Sequence, residues 1–245
     1  MYSPSSSLRS TESASWPLYP PRRRAGTHVG DTTGRWLIQV SGLHSRAALR
    51  VKRVVDVVGA MVLLVLLAPL LAAVAAVVTL TSRGPVFFVQ RRVGLRCREF
   101  AMFKFRTMVE GAEQAQDDLA QAQAGRTFLK LAHDPRVTPV GRFLRRTSLD
   151  ELPQLLNILR GEMSLVGPRP ILLCDFDKFP KQDQLRRFSL TPGLTGLWQV
   201  SGRSGCTDEE RILLDLRYVD GWSLGLDLWI LARTVPVVLS GKGAS

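Results

Sequence analysis

The sequence predicts a mainly α-helical protein with one small β-hairpin, held at a membrane by a helix that enters the bilayer and returns. Three observations predict this. Residues 57–80 form a long apolar run with no charged residue inside it. Both flanks of the run are basic: Arg46, Arg50, Lys52 and Arg53 precede it, and Arg83, Arg91, Arg92, Arg96 and Arg98 lie after it. Pro69 stands near its middle. Two dozen helical residues, at about 1.5 Å each, are long enough to span a hydrocarbon core of roughly 30 Å. A simple span, however, carries its Lys/Arg excess mainly on one side. A proline inside it removes a backbone donor and crowds the carbonyl one turn back. A helix broken at Pro69, with both ends on the same face, satisfies both observations. A proline-kinked single span is the alternative on the same residues.

The remaining elements are taken in chain order. Residues 1–45 are rich in Ser, Pro, Thr and Arg, with Pro20-Pro21 leading into Arg22-Arg23-Arg24, and read as a disordered tail. No apolar segment comes after its charges, so it does not read as a signal peptide. Residues 46–84 hold the juxtamembrane and re-entrant helix, and residues 85–245 the folded domain. Within that domain Val86-Phe87-Phe88-Val89 and Phe100-Ala101-Met102-Phe103-Lys104-Phe105 predict a hairpin over 85–106, turning at Val93-Gly94-Leu95. Helices are expected at 109–124, which is rich in Ala, Gln and Glu, and at 150–160 and 207–220. Residues 222–239 are apolar but carry Asp227, Arg233 and Pro236 among Trp222 and Trp229, the composition of an interfacial amphipathic helix.

Charge narrows the function classes. The chain has 245 residues, 33 Lys+Arg against 21 Asp+Glu, and a formal net charge of +12. A surface so basic points to a polyanionic partner such as lipid, a phosphate-bearing substrate or nucleic acid. Nucleic acid fits poorly, because only 7% of residues are aromatic and the basic residues flank an apolar insertion instead of alternating with stacking side chains. The cysteines Cys97, Cys174 and Cys206 are too widely spaced for a metal-ligand pattern or a disulfide framework. The three histidines, His28, His44 and His133, form no cluster.

Three segments could carry chemistry. In Arg145-Arg146-Thr147-Ser148-Leu149-Asp150-Glu151-Leu152-Pro153-Gln154, two adjacent carboxylates precede an apolar run. Ser148-x-x-Glu151 has the form of a capping box, and Pro153 is tolerated only in a first helical turn. The segment therefore reads either as a capped helix start or as a site where Asp150 sits near backbone N–H groups that favour anions. In Gly167-Pro168-Arg169-Pro170 the two prolines stiffen the backbone around one guanidinium, which suits phosphate contact. In Pro192-Gly193-Leu194-Thr195-Gly196 through Gly202-Arg203, glycines, hydroxyls and a terminal Arg could cradle a nucleotide, although such loops are mostly plain turns. Lys104-Phe105-Arg106-Thr107 adds two cations.

In this order the motifs resemble those of the bacterial sugar transferases, the monotopic phosphoglycosyl transferases that act on polyprenyl phosphate. The resemblance runs from about Arg50 to Ser245. It rests on Lys52-Arg53-Val54-Val55-Asp56, Gln90-Arg91-Arg92-Val93-Gly94, Lys104-Phe105-Arg106-Thr107-Met108, Ser148 to Gln154, Gly161 to Pro170 and Pro192 to Gly196. It implies transfer of a sugar 1-phosphate from a UDP-sugar to undecaprenyl phosphate, with release of UMP. The implied place is the cytoplasmic face of a bacterial inner membrane, with 85–245 as the catalytic domain. Asp150 is implied as the nucleophile that forms a covalent phosphosugar intermediate. Glu151 is its acidic partner, and Asp150 and Glu151 together are the implied ligands of Mg²⁺. Lys104, Arg106, Arg145, Arg169 and Arg203 are the implied phosphate and substrate contacts. Asp56 and Pro69 belong to the helix break.

The pattern departs from the family in one place. A serine often precedes the helix-breaking proline, but here the pair is Ala68-Pro69. The break is then expected to be stabilised through Asp56 or neighbouring backbone. Larger members carry further helices and a soluble domain upstream, so this chain reads as a minimal catalytic form. The transferred sugar is left open, and a homo-oligomer is compatible with the sequence. A catalytically silent, basic membrane-surface adaptor on the same fold is the competing class; the intact Asp150-Glu151 pair argues against it.

Overall fold

A computed structural model describes residues 45–112, 134–172, 181–201 and 207–240. The expected tail to residue 44 and most of the expected 109–124 helix lie outside these residues, as does Arg203. Helix α1 (Arg46–Thr81) leads into the hairpin strands β1 (Phe87–Val93) and β2 (Glu99–Phe105). Next come α2 (Pro139–Thr147), a 3₁₀ turn over Leu149–Glu151, α3 (Gln154–Arg160), β3 (Ser164–Val166) and β4 (Ile171–Leu172). The order closes with α4 (Lys181–Arg187), β5 (Gly193–Thr195), α5 (Leu197–Ser201), α6 (Asp208–Gly221) and α7 (Leu224–Ser240).

The hairpin stands where the sequence places it, with Phe87 opposite Phe105 and Val93 opposite Glu99. Its turn is longer than expected, because a 3₁₀ turn over Leu95–Cys97 closes it with Arg96 and Cys97 both at positive φ. Strand β4 pairs antiparallel with β1, giving the order β2-β1-β4. Strands β3 and β5 form a separate two-stranded parallel sheet. Three-residue strands are too short to show a period in sequence. The glycines of the 192–196 segment serve this sheet. A Cβ on Gly193 would lie 2.0 Å from the Gly167 nitrogen, and one on Gly196 would lie 2.4 Å from the Gly167 oxygen. Close packing against Gly167, not an open phosphate cradle, is what requires glycine at these two positions.

The main core gathers Ala60 from α1, Leu155 and Ile158 from α3, Tyr218 and Val219 from α6, and Ile230 from α7. Helix α6 begins with a capping box in which Thr207 and Glu210 satisfy each other's backbone N–H. Helix α7 turns its acid inward: Asp227 is buried and accepts from Lys52 Nζ (2.7 Å), Tyr218 Oη (2.7 Å) and Trp222 Nε1 (3.1 Å). Its exposed face carries Leu228, Val235 and Leu239.

Helix α1 runs uninterrupted for 36 residues with Pro69 inside it, so the proline does not end the helix. A proline costs a helix about 3 kcal/mol through one lost hydrogen bond and one steric clash. Thirty-six residues anchored at both ends absorb that cost. The N-terminal half docks through polar groups. Lys52 Nζ donates to the Val166 carbonyl (2.9 Å) and pairs with Asp227. Arg53 donates to the Ile158 and Leu159 carbonyls at the end of α3. Asp56 accepts from Ser164 Oγ and the Leu165 N–H, each at 2.9 Å. Asp56 lies 13 residues, about 20 Å along the helix, from Pro69. It therefore fastens α1 to β3 and does nothing for the proline. The C-terminal half packs Val74 and Val78 against Phe105 and Leu144. Between the two docked halves, Val65 and Leu66 are 74% and 69% exposed.

Replacing Lys52 by Met should be costly, because it leaves the buried Asp227 carboxylate without its cation. The expected loss is about 3–5 kcal/mol, read as a clear fall in the unfolding temperature of the detergent-solubilised protein. An unchanged midpoint would contradict the buried pair.

Candidate active site

Helix α2 ends at Thr147, and Ser148 closes it in the left-handed conformation (φ 57°), its N–H returning to the Arg145 carbonyl. The expected capping box is therefore absent. Ser148 already serves as a C-terminal cap, and its side chain makes no capping hydrogen bond to the 3₁₀ turn after it. Asp150 and Glu151 lie in that turn, and α3 begins only at Gln154, behind Pro153. The two acids thus precede the helix and do not open it.

Glu151 turns toward cations from two distant segments. Lys104, on β2, donates to its Oε1 at 3.0 Å, and Arg169 Nη2 reaches the same oxygen at 3.3 Å. Strand β2 is held in place by Asn157, whose Oδ1 accepts from the Phe103 N–H and whose Nδ2 donates to the Ala101 carbonyl. Arg169 is fixed by its backbone as well as by its prolines. Its N–H approaches Asp215 Oδ2 (3.4 Å), and its carbonyl accepts from Arg187 Nη2 (2.8 Å). Arg187 and Asp215 pair at 2.6 Å, both buried. The Arg169 guanidinium also lies over the Trp198 ring, 5.5 Å from its centroid. Arg145 donates through Nε to Thr107 Oγ1 (2.9 Å) and stands close enough to Asp150 to interact with it electrostatically.

The two carboxylates are driven apart in acidity. Burial, and then the neighbouring Glu151 charge, push Asp150 up to about 6 against the pull of Lys104, Arg145 and Arg169. Burial also acts to raise Glu151, but the Lys104 and Arg169 charges outweigh it and hold the group at about 2. One acid is locked as an anion by its cations. The other is buried, has no direct partner among the described residues, and ionises near 6. Such a split separates a fixed electrostatic group from a reactive one.

Of the expected site residues, Asp150, Glu151, Lys104, Arg145 and Arg169 come together. Arg106 does not join them. It is buried, and its guanidinium donates to the Ser82 carbonyl (2.7 Å), Ser82 Oγ (2.9 Å) and the Pro85 carbonyl, capping the end of α1. With these acceptors its guanidinium is committed to the junction between α1 and β1 and does not face the acid pair. Among the described residues no cluster of three or more His, Cys, Asp or Glu could hold a metal. A magnesium ion needs only one or two carboxylates when substrate phosphates complete its shell; of the pair, Asp150 has no direct partner among the described residues, while one Glu151 oxygen is already taken by Lys104 and Arg169.

Asn157, Arg187 and Asp215 support the site without belonging to any motif that the sequence singles out, and Trp198 lies in the Pro192 to Arg203 segment, which reads as a glycine and hydroxyl loop and gives the ring no role. Asp215 has a signal in the sequence. It interrupts the apolar stretch Leu213-Leu214-Asp215-Leu216 and sits one helical turn before Tyr218 and Val219 on the buried face. Arg187, beside Phe188 in a charged segment, has none.

The bacterial sugar transferase family model matches residues 47–241. The chain is 43% identical over 198 residues to a galactosyl transferase, CpsE, of Streptococcus agalactiae, covering 80% of this chain and 44% of that protein. It is 44% identical to the exopolysaccharide production protein ExoY of Rhizobium meliloti, over 79% of this chain and 87% of that one. It is 43% identical to the UDP-glucose:undecaprenyl-phosphate glucose-1-phosphate transferase of Caulobacter vibrioides, over 88% and 80% respectively. The chain thus spans less than half of the streptococcal protein and most of the other two.

Because Asp150 ionises near 6 when folded and near 3.8 when free, the folded chain holds the extra proton between those values. This group therefore contributes less stability as the pH rises from about 4 to about 6. Asp150→Asn has no such charge to bury. Its unfolding temperature should rise relative to wild type across that window and stay higher at pH 7. A difference that does not change with pH would contradict the assignment.

Proposed function

The chain belongs to the bacterial sugar transferase family, and we propose that it transfers a sugar 1-phosphate from a UDP-sugar to undecaprenyl phosphate. The single observation that carries this reading is the split acid pair: Glu151 held by Lys104 and Arg169, with Asp150 buried beside it and raised to about 6. In the first step an Asp150 carboxylate oxygen attacks the sugar-bearing phosphorus. The bond from that phosphorus to the bridging oxygen breaks, and UMP leaves with the electron pair. In the second step a phosphate oxygen of the lipid acceptor attacks the same phosphorus. The acyl phosphate bond breaks, and Asp150 is regenerated as carboxylate beside a polyprenyl diphosphate sugar. Two transfers at one nucleophile let a water-soluble donor and a lipid acceptor use the same site in turn.

The other residues act on charge. An anionic nucleophile meets an anionic diphosphate, so cations must stand ready before attack. Lys104 reaches the site from β2 and Arg169 from the segment between β3 and β4, and Arg145 acts on Asp150. Asp150 and Glu151 would hold Mg²⁺ together with the donor's phosphates; when bound, the ion neutralises charge on those oxygens. The reading places the enzyme on the cytoplasmic face of the inner membrane, at the lipid-linked step that begins polysaccharide assembly.

For α1 we favour a helix that enters the bilayer, bends at Pro69 without ending there, and returns. Both its ends dock on the same folded body, through Lys52, Arg53 and Asp56 at one end and Val74, Val78 and the Arg106 cap at the other. A body rich in buried ion pairs does not sit across a bilayer, and the exposed apolar stretch between the docked halves is what lipid would cover.

Incubation with UDP-glucose, UDP-galactose and N-acetylated UDP-sugars plus undecaprenyl phosphate should release UMP with at least one of them. Asp150→Asn should lower the rate by several orders of magnitude while remaining membrane-bound. Substantial turnover by that variant sinks the reading. For topology, Cys97, Cys174 and Cys206 are replaced and single cysteines placed at residues 48 and 84. Neither should react with an impermeant thiol reagent added to intact spheroplasts. Labelling of one position alone would establish a span.

A further inference from the structure

Gln154 is the first residue of α3 and stands three positions after Glu151, so the two side chains lie on one side of the turn. It is only 3% exposed, and its Nε2 is buried without a hydrogen-bond partner. It lines a narrow crevice with Glu151, Arg169, Arg92, Met102, Pro170 and Gly193, too tight as it stands for a water molecule, so the lining side chains must part to admit a ligand. Native interiors leave few buried donors unpaired, and each one calls for a reason. Several other unpaired buried atoms belong to groups already engaged: Arg187 and Asp215 bond each other, Arg106 caps α1 through its other nitrogens, and Gln199 donates to the Leu194 carbonyl. The Trp198 Nε1–H is unpaired as well, but its ring is covered by the Arg169 and Arg211 guanidinium groups, whereas Gln154 opens toward the acid pair. Gln154 has no such engagement among the described residues. If only packing mattered at this position, a methionine of the same length would serve better.

The geometry points to Gln154 as a substrate-binding residue of the proposed reaction, its Nε2–H donating to a phosphoryl oxygen. An amide brings two N–H donors and no charge. Across the crevice stand the guanidinium groups of Arg169, which reaches Glu151, and Arg92, which reaches the Pro170 carbonyl at 3.2 Å. A ligand group that satisfies Gln154 there must carry acceptor oxygens and be welcome between cations, and a phosphoryl group meets both conditions. That oxygen belongs either to the diphosphate of the donor or to the phosphate of the lipid acceptor. The inference rests on the transferase reading and adds to it a contact outside the acid pair and its cations.

The test compares wild type and Gln154→Met as full-length protein in detergent. The variant should unfold at the same temperature as wild type or higher, because an unpaired buried donor is removed. Its kcat/KM should nevertheless fall roughly ten- to a hundredfold. If the loss appears in UMP release from UDP-glucose or UDP-galactose without acceptor, the oxygen is the donor's. If it appears only when undecaprenyl phosphate is present, the oxygen is the lipid's. UDP provides a readout independent of turnover, and its stabilisation of wild type should shrink in the variant if the donor is what Gln154 holds. A variant with lowered stability and unchanged kinetics in both arms overturns the inference, since Gln154 would then be a packing residue only. Failure of wild type to release UMP from any UDP-sugar would count against the transferase reading itself; the inference would then stand or fall on UDP, and equal stabilisation of the two proteins overturns it. Gln154→Glu, which has the same shape and lacks the N–H donors, carries the same comparison if the Met variant does not fold.

Discussion

One oxygen of Glu151 takes both a lysine and an arginine, and the site depends on that sharing. Lys104 comes from the hairpin and Arg169 from the segment between β3 and β4, so the contact closes three parts of the chain on one another. Lys104 and Arg169 bond Glu151 directly and reach Asp150 only through space, with too little effect to offset its burial. Glu151 is thereby kept as an anion, and its neighbour, buried and beside a negative charge, is left nearly unsupported. Burying an unpaired carboxylate weakens a fold, and active sites are where proteins tolerate that cost. The surrounding structure offsets it with pairs that have no evident chemical role: Asn157 fixes β2, and Arg187 with Asp215 fixes the peptide of Arg169.

The same use of buried polar groups attaches the membrane helix. An apolar helix has little reason to leave lipid for an apolar face of protein, since the two environments are alike to it. Hydrogen bonds to backbone groups of the domain are a different matter. Lys52, Arg53 and Asp56 satisfy backbone groups of β3 and of the end of α3, and Arg106 satisfies the carbonyls at the end of α1. These contacts set where the helix leaves the domain and, on the proposed re-entrant reading, how the acid pair stands relative to the bilayer.

The hairpin and α6 were legible in the sequence because each carries its own signal: two β-prone runs around a glycine turn, and Thr207 with Glu210 at a helix start. The acid pair was legible as a motif, but its local structure was not. Ser-x-x-Glu has the form of a capping box wherever it occurs, and only the tertiary pull of Lys104 and Arg169 decides that Glu151 turns away. Arg106 reads in sequence like any cation of a phosphate site, and its role as a cap depends on a helix end 24 residues away. Strands β3 and β5, three residues each and paired over a long sequence separation, leave no periodic trace at all. Pro69 gave the opposite error. A local rule predicted a broken helix, and the docking of both halves keeps it continuous.

The central claim is that Asp150, not Glu151, bears the covalent intermediate. The most direct measurement is mass spectrometry of protein quenched after exposure to a turned-over UDP-sugar with no lipid acceptor, with peptide mapping of the product. The account predicts one added hexose phosphate, or the corresponding N-acetylated sugar phosphate, on the peptide holding the acid pair. The adduct should be retained in Glu151→Gln, absent in Asp150→Asn, and discharged by undecaprenyl phosphate. An adduct that persists in Asp150→Asn, or full transfer with no adduct at any time, would contradict it.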